Sequence, residues 1–195
     1  HEQIISKHSD TLSSFLLDID SRFNQFFSPS QYAQFNMFNY FFFNNTTAED
    51  RLRSFLRGGG KETPSVSDTL IILDPPFGGR IDYLAETIRK IQIVMTGTQT
   101  NDESRQFPPI IMFFPYFNEH WIQRHFDDEL KITDYIVHYL NHSKFKKKIS
   151  TNTDKRDTST VRVFTNLDRS KIDLTCLNTE SQQNYRFCEL CNRYI

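Results

Sequence analysis

Asp74-Pro75-Pro76-Phe77 places a carboxylate, two residues of fixed φ and an aromatic face within one short stretch, behind the apolar run Leu70-Ile71-Ile72-Leu73 and ahead of Gly78 and Gly79. This set suits methylation of an exocyclic amine conjugated to a ring. The lone pair of such a nitrogen is delocalised, so the reaction needs positioning more than deprotonation. The Asp74 carboxylate and the Pro75 carbonyl can each accept one N–H of the amine, which draws the nitrogen towards tetrahedral geometry and aims its lone pair at an incoming methyl group. Phe77 supplies a face on which a base can stack. Pro75 and Pro76 hold the acceptors in place before substrate arrives, and Gly78 and Gly79 let the backbone turn closely past it. The plainer reading is a strand-terminating turn, in which Asp and Pro are both favoured.

The elements around this stretch must present it. Residues 70–73 are short, continuous and apolar, as in a strand buried on both faces of a parallel sheet. Pro75 cannot donate to a ladder, so the strand ends at Asp74, and in open α/β sheets ligands bind at that carboxyl end. Residues 14–17 read as a second buried strand ending in Asp18-Ile19-Asp20. An acid there is placed to accept from the two ribose hydroxyls of a nucleotide-like cofactor. Asp18 is the ribose candidate; Asp20, in the same turn, caps a helix over 21–27 that Pro29 ends. Residues 34–43 read as a third strand whose carboxyl edge carries Asn39 and Tyr40, an amide for an adenine edge and a ring for its face. Such an aromatic cluster also reads as core. The reading requires 70–73 to be an interior strand, and Asp18 and Asp74 to end at the same edge of the sheet.

Further along, residues 3–8 close a short helix, and Thr47-Ala48-Glu49-Asp50 opens another as a capping box, running through Arg57 to Gly58. The run Gly58-Gly59-Gly60-Lys61 is not a phosphate loop, because Glu62 stands where Ser or Thr is needed. Residues 58–68 read as a surface loop. Ile81, Leu84, Ala85, Ile88, Ile91 and Met95 recur at helical spacing and predict an amphipathic helix ending at Gly97. A polar loop follows over 98–107, then a strand over 109–114 stopped by Pro115, and a helix over 116–126. Its His120 and His125 do not share a face well enough to pair on a metal. Residues 133–140 and 160–166 read as the strands of an antiparallel hairpin. The expected fold is α/β and Rossmann-like: a mixed, mostly parallel sheet with helices on both faces and a C-terminal antiparallel hairpin.

The chain has 195 residues, enough for one full core. Its net charge is −1, but residues 1–143 carry 12 Lys/Arg against 18 Asp/Glu while residues 144–195 carry 11 against 6. The basic excess includes Lys144, Lys146, Lys147, Lys148, Lys155 and Arg156 in the hairpin connection, which suits phosphate contact with RNA, with Phe145 available for stacking. The alternative is a solvated lysine-rich loop. Cys188 and Cys191 form a Cys-x-x-Cys knuckle, half of a tetrahedral zinc site. Cys176 is the one other cysteine, so a disulfide framework is not expected and a reducing compartment is. The sequons at Asn44, Asn45 and Asn141 lack a secretory signal beside them. No apolar run reaches the ~18 residues of a membrane span.

The tetrad resembles the amino-methyltransferase signature, and residues 72–80 with their flanks resemble the CCHC zinc-finger N6-adenosine methyltransferases that modify large-subunit ribosomal RNA. The similarity extends through Leu16 to Asp20, through Asn36-Met37-Phe38-Asn39, and to Tyr185-Arg186-Phe187-Cys188-Glu189-Leu190-Cys191. It implies a class I enzyme over residues 1–180 that binds S-adenosylmethionine with Asp18, Asp20, Asn39, Tyr40 and Asp74, and whose chemistry rests on Asp74, Pro75, Pro76 and Phe77. It further implies a zinc module beginning at 181–195 with further ligands beyond Ile195, and a first strand and glycine loop ahead of His1, so that the chain reads as a fragment. Ribosomal RNA is the implied partner, with neither a membrane nor an obligate protein partner indicated, in nucleus, nucleolus and cytoplasm. Two other readings stay open: the same fold acting on DNA adenine or a glutamine amide, and a non-catalytic RNA-binding scaffold.

Overall fold

The computed structural model describes residues 1–2, 12–43, 46–58, 68–97, 107–137, 159–172, 187–188 and 193–194. Its architecture is mixed α/β. Strand β1 (Leu16–Asp18) pairs in parallel with β2 (Tyr32–Asn36), which pairs antiparallel with β3 (Phe41–Phe42). A second sheet has the order β4-β5-β7-β6, formed by β4 (Ile71–Leu73), β5 (Ile110–Pro115), β6 (Lys131–Ile136) and β7 (Val161–Thr165). The β4–β5 pair is parallel; β7 runs antiparallel to both β5 and β6, so the expected hairpin is present.

Helix α1 (Thr46–Leu56) ends at Gly58, whose φ of 63° closes it in the left-handed region. Helix α2 (Ile81–Thr96) ends the same way at Gly97, with φ 71° and its N–H donating to the Ile93 carbonyl. Its apolar positions are buried as their spacing predicts: Leu84, Ala85, Ile88 and Met95 all face inward. Helix α3 (Glu119–His125) follows a short 3-10 turn at Tyr116–Asn118. None of the helices among the described residues is long and apolar enough to cross a membrane.

One cluster serves as the core. Ala33, Phe35 and Phe42 of the first sheet, Leu52 and Leu56 of α1, the buried face of α2, Ile122 of α3, and Ile110, Met112 and Phe114 of β5 all belong to it. Burial of each large side chain stabilises by about 1.5–3 kcal/mol. The three β5 residues alternate along the strand and so share one sheet face. All three helices contribute residues to that cluster.

Several expectations are corrected. Among the described residues β4 is an edge strand that pairs only with β5, and β1 belongs to the other sheet, so residues 70–73 are not an interior strand and Asp18 and Asp74 do not end on one sheet edge. The β4 residues are not buried on both faces: Ile71 and Leu73 pack towards the core, while Leu70 and Ile72 are 47% and 58% exposed. A continuous apolar run does not reveal whether the second face has a cover. The third strand stops at Asn36, because the Asn36 side chain accepts the Phe38 N–H and starts a turn that folds the chain back into β3. The helix that Asp20 caps is present but shorter than 21–27, a 3-10 helix over Ser21–Gln25.

Candidate functional site

The site is built where β4 ends. Asp74 follows Leu73 directly, and among the described residues neither its carboxylate nor the Pro75 carbonyl has a hydrogen-bond partner. Pro75 is fully buried and fastens the turn to the core. The Gly79 N–H donates to the Pro76 carbonyl at 2.8 Å, so the chain reverses immediately beyond the tetrad. Phe77 leans edge-on against Phe114 of β5, with ring centroids 6.0 Å apart at 83°, and remains 42% exposed. Part of the Asp74 side chain is open to solvent, yet desolvation raises its carboxyl pKa above the ordinary 3.8. Two open acceptors thus stand beside a partly open ring.

Asp18 lies at the carboxyl end of β1, half-buried. Its Oδ1 accepts the Asp20 N–H at 2.8 Å, which leaves Oδ2 without a partner among the described residues. Tyr32 braces the turn: its hydroxyl donates to the Asp20 carbonyl at 2.8 Å and lies 3.3 Å from the Asp18 carbonyl. Gln34, opposite Asp18 in the register, donates to the Ile19 carbonyl at 3.0 Å. Asp20 caps the 3-10 helix through Arg22 N–H and also pairs with the Arg22 guanidinium, whose hydrogen bonds pull its carboxyl down to about 2. The Asp20 carboxylate is therefore already occupied by Arg22.

The turn after β2 carries Asn39, which is exposed, and Tyr40, which is not free to swing. Tyr40 has a φ of 55°, meets Phe35 and Phe42 edge-on at 5.7 and 5.5 Å, and donates to Glu49 at 3.4 Å. Burial, then the Glu49 charge, pushes its hydroxyl up to about 12. The Lys90 ammonium lies 5.8 Å from the ring centroid. Tyr40 is thus tied into the edge of the core, with Asn39 displayed beside it.

A contact absent from the sequence reading joins the two regions. A Cβ at Gly79 would stand 2.2 and 2.6 Å from the Phe38 ring, so only glycine admits that ring against the tetrad turn. The carboxyl-end turn of β2 thereby abuts the turn that follows Asp74. Such proximity of residues 38 and 79 leaves no trace in composition or periodicity. Residue spacing likewise does not reveal that Arg80 pairs with Asp82 while stacking 4.5 Å from the Tyr83 ring centroid.

Lys144, Lys146, Lys147, Lys148 and Cys191 lie outside the described residues, as do residues 3–8 and most of the loops expected over 58–68 and 98–107. The backbone of Cys188 sits on β8 (Phe187–Cys188), which pairs antiparallel with β9 (Arg193–Tyr194). Among the described residues no three His, Cys, Asp or Glu side chains stand close enough to hold a metal. A cavity of about 330 Å³ opens elsewhere, lined by Glu129, Lys131, Thr165 and Asn166. It lies at the amino end of β5, away from Asp74.

Two acceptors without partners among the described residues and an aromatic face thus stand where a parallel strand of an α/β protein ends, the edge at which ligands bind in open α/β sheets. Sequence comparison gives the family. The family described as "Probable N6-adenine methyltransferase" matches residues 1–186, and the chain belongs to it. It is 36% identical over 198 residues to a Mus musculus protein named rRNA N(6)-adenosine-methyltransferase ZCCHC4, covering 100% of this chain and 36% of that one. The Homo sapiens protein of the same name is 36% identical over 184 residues, covering 94% of this chain and 33% of its own, and that of Bos taurus is 34% identical over 199 residues. The chain spans about a third of the length of these curated relatives.

Proposed function

We propose that this chain forms the catalytic part of an S-adenosylmethionine-dependent enzyme that methylates N6 of adenosine in ribosomal RNA. The observation that carries the reading is a pair of acceptors without partners among the described residues, Asp74 carboxylate and Pro75 carbonyl, beside half-open Phe77 in a chain of this family. An amino group of adenine has two N–H donors and a flat ring, and these three groups match them. S-adenosylmethionine, when bound, supplies an electrophilic methyl group.

The work of the chain is placement. Asp74, ionised, accepts one N–H and Pro75 accepts the other, so the nitrogen is held with its lone pair directed away from the ring plane. Phe77 stacks on the base. Proton loss follows methyl transfer, when the nitrogen is cationic and acidic, so Asp74 orients the amine and need not act as a strong base. The cofactor fits the β1 and β2 turns: Asp18 Oδ2 is open for ribose, exposed Asn39 offers its amide to adenine, and Asp20 and Tyr40 shape the turns that present them.

Residues 1–180 constitute the methyltransferase domain on this reading, Rossmann-like in class, with β1 and β4 in two separate sheets among the described residues. Residues 181–195 begin a zinc module to which Cys188 and Cys191 give two thiolates. Two thiolates do not complete a tetrahedral site, so no step depends on zinc. Lys144, Lys146, Lys147 and Lys148 contact RNA phosphates.

Radiolabelled methyl transfer to ribosomal RNA by the full-length protein, followed by nucleoside analysis, tests the proposal. N6-methyladenosine in RNA is the expected product. Label in DNA or in a glutamine amide would reassign the substrate, and absence of transfer with RNA binding intact would make the chain a scaffold. Calorimetry with S-adenosylmethionine tests the pocket: Asp18→Ala should weaken binding, and unchanged affinity would refute the ribose assignment.

A further inference from the structure

The carboxyl end of β5 carries a feature that the tetrad does not use. Tyr116 and Phe117 emerge from the strand 49% and 66% exposed, with their rings edge-on at 5.8 Å. The Arg162 guanidinium lies 5.6 Å from the Tyr116 ring centroid. Its Nη1 is held by the Ser159 and Val161 carbonyls at 2.6 and 2.9 Å, so the planar group is fixed beside the ring by the backbone at and just before the start of β7. The Tyr116 N–H donates to the Thr160 carbonyl at 3.0 Å and anchors the other side. Arg162 sits directly opposite Phe114 in the β5–β7 register, and directly opposed residues share a sheet face. Phe114 is the residue on which Phe77 leans. Contacts thus join Phe77 to Phe114 and Arg162 to Tyr116 and Phe117, and the β5–β7 register sets Phe114 and Arg162 opposite one another.

What distinguishes these two open rings from the chain's other exposed aromatics is that they touch each other and one lies beside a guanidinium held by backbone carbonyls. A fixed cation among them selects a ligand with both π faces and negative charge. We propose that Tyr116, Phe117 and Arg162 form a second RNA-binding subsite that stacks a nucleotide flanking the target adenosine and contacts its phosphate. The proposal rests on the reading of Asp74 to Phe77 as the adenine site and extends it to single-stranded substrate. A base must leave its stack to reach Asp74, and its neighbour then has an exposed face that Tyr116 or Phe117 can cover. Arg162 is fixed at one nitrogen by backbone carbonyls and has its remaining N–H groups for phosphate.

The test compares full-length wild-type protein with Tyr116→Ala, Phe117→Ala and Arg162→Met in single-turnover methyl transfer, using two probes: an adenosine-containing single-stranded RNA 12-mer and the nucleoside adenosine, which has no flanking nucleotide. Loss of base stacking lowers affinity by about 5- to 150-fold. For the 12-mer, half-saturation should therefore rise by that range in both aromatic variants, with the maximal rate within about twofold. Salt dependence should flatten for Arg162→Met, by about one counterion in slope. On adenosine, wild type and variants should converge, a result that a merely structural role would not produce. Conservative Tyr116→Phe should restore the 12-mer. If wild type methylates the 12-mer and the aromatic variants match it, the subsite is wrong while the adenine site stands. Where that match comes with a shift of solution mass towards monomer, the patch is a protein interface instead. If wild type transfers no methyl group to either probe, the function reading fails and takes this inference with it.

Discussion

The two ends of β5 are finished in opposite ways. At the amino end, Asn166 Oδ1 accepts the Ile110 N–H at 2.8 Å, its Nδ2 donates to the Pro108 carbonyl at 2.9 Å and lies 3.3 Å from the Phe107 carbonyl, and the Thr165 hydroxyl donates to the Ile110 carbonyl at 2.6 Å. Glu129 accepts the Phe107 N–H at 3.0 Å. At the carboxyl end the acceptors of Asp74 and Pro75 have no partner among the described residues, and Phe77, Tyr116 and Phe117 are open. Paired polar groups mark an end that holds the sheet together. Open acceptors and rings mark an end with something left to bind, which is why the cavity at the amino end is not the preferred site.

Substitutions at the two ends should separate stability from activity. The largest effect is expected at Asp74: Asp74→Ala should lower methyl transfer by a factor on the order of 10²–10³ or more, with the thermal midpoint nearly unchanged in a calorimetric scan. Next comes Asn166→Ala, which strands the buried Ile110 N–H and two carbonyls. A loss of about 2–4 kcal/mol should depress the midpoint by about 5–15 °C, while the activity of the folded fraction persists. A stable but inactive Asn166→Ala would break the comparison.

Gly79→Ala sharpens it between the two turns. Its Cβ would collide with the Phe38 ring, and overpacking of this kind costs about 1–3 kcal/mol. Adding Phe38→Ala should recover part of that loss, measured as non-additivity in a double-mutant cycle. Additive losses would show that the turns do not depend on each other.

The smallest effect concerns pH. Desolvation raises the Asp74 carboxyl above 3.8 in the folded chain, so below the unfolded pKa the group is protonated in both states and contributes nothing. As pH rises from there through the folded pKa, stability is lost, and it stays lost above. Asp74→Asn should thus slightly raise stability at neutral pH, by urea titration, and flatten that acid window. Transfer by wild type should decline with acid at a pH above 3.8, in step with protonation of the orienting oxygen.

Much of the carboxyl end was legible because its signals are local. Pro75 ends β4 for want of an N–H, Gly97 ends α2 in the left-handed region, and the 3.6-residue spacing of Leu84, Ala85, Ile88 and Met95 placed the buried face. What escaped depends on residues far apart in the chain. No local pattern links Phe38 to Gly79, Tyr32 to the Asp20 carbonyl, or Arg162 to Tyr116. The exposure of Ile72 was missed because an apolar run shows what a strand can bury, not what covers it. Tyr40 read equally as core or ligand contact, and its contacts with Phe35, Phe42 and Glu49 tie it to the core edge.

The most direct test of the central claim is single-turnover methyl transfer by Asp74→Asn in the full-length protein, with S-adenosylmethionine saturating and its affinity checked by calorimetry. Asparagine keeps the shape of the turn but exchanges one acceptor oxygen for a donor that opposes the amine. With cofactor saturating, the expected result is a transfer step slowed on the order of 10²-fold or more. Near-normal transfer would show that Asp74-Pro75-Pro76-Phe77 is only a strand-terminating turn.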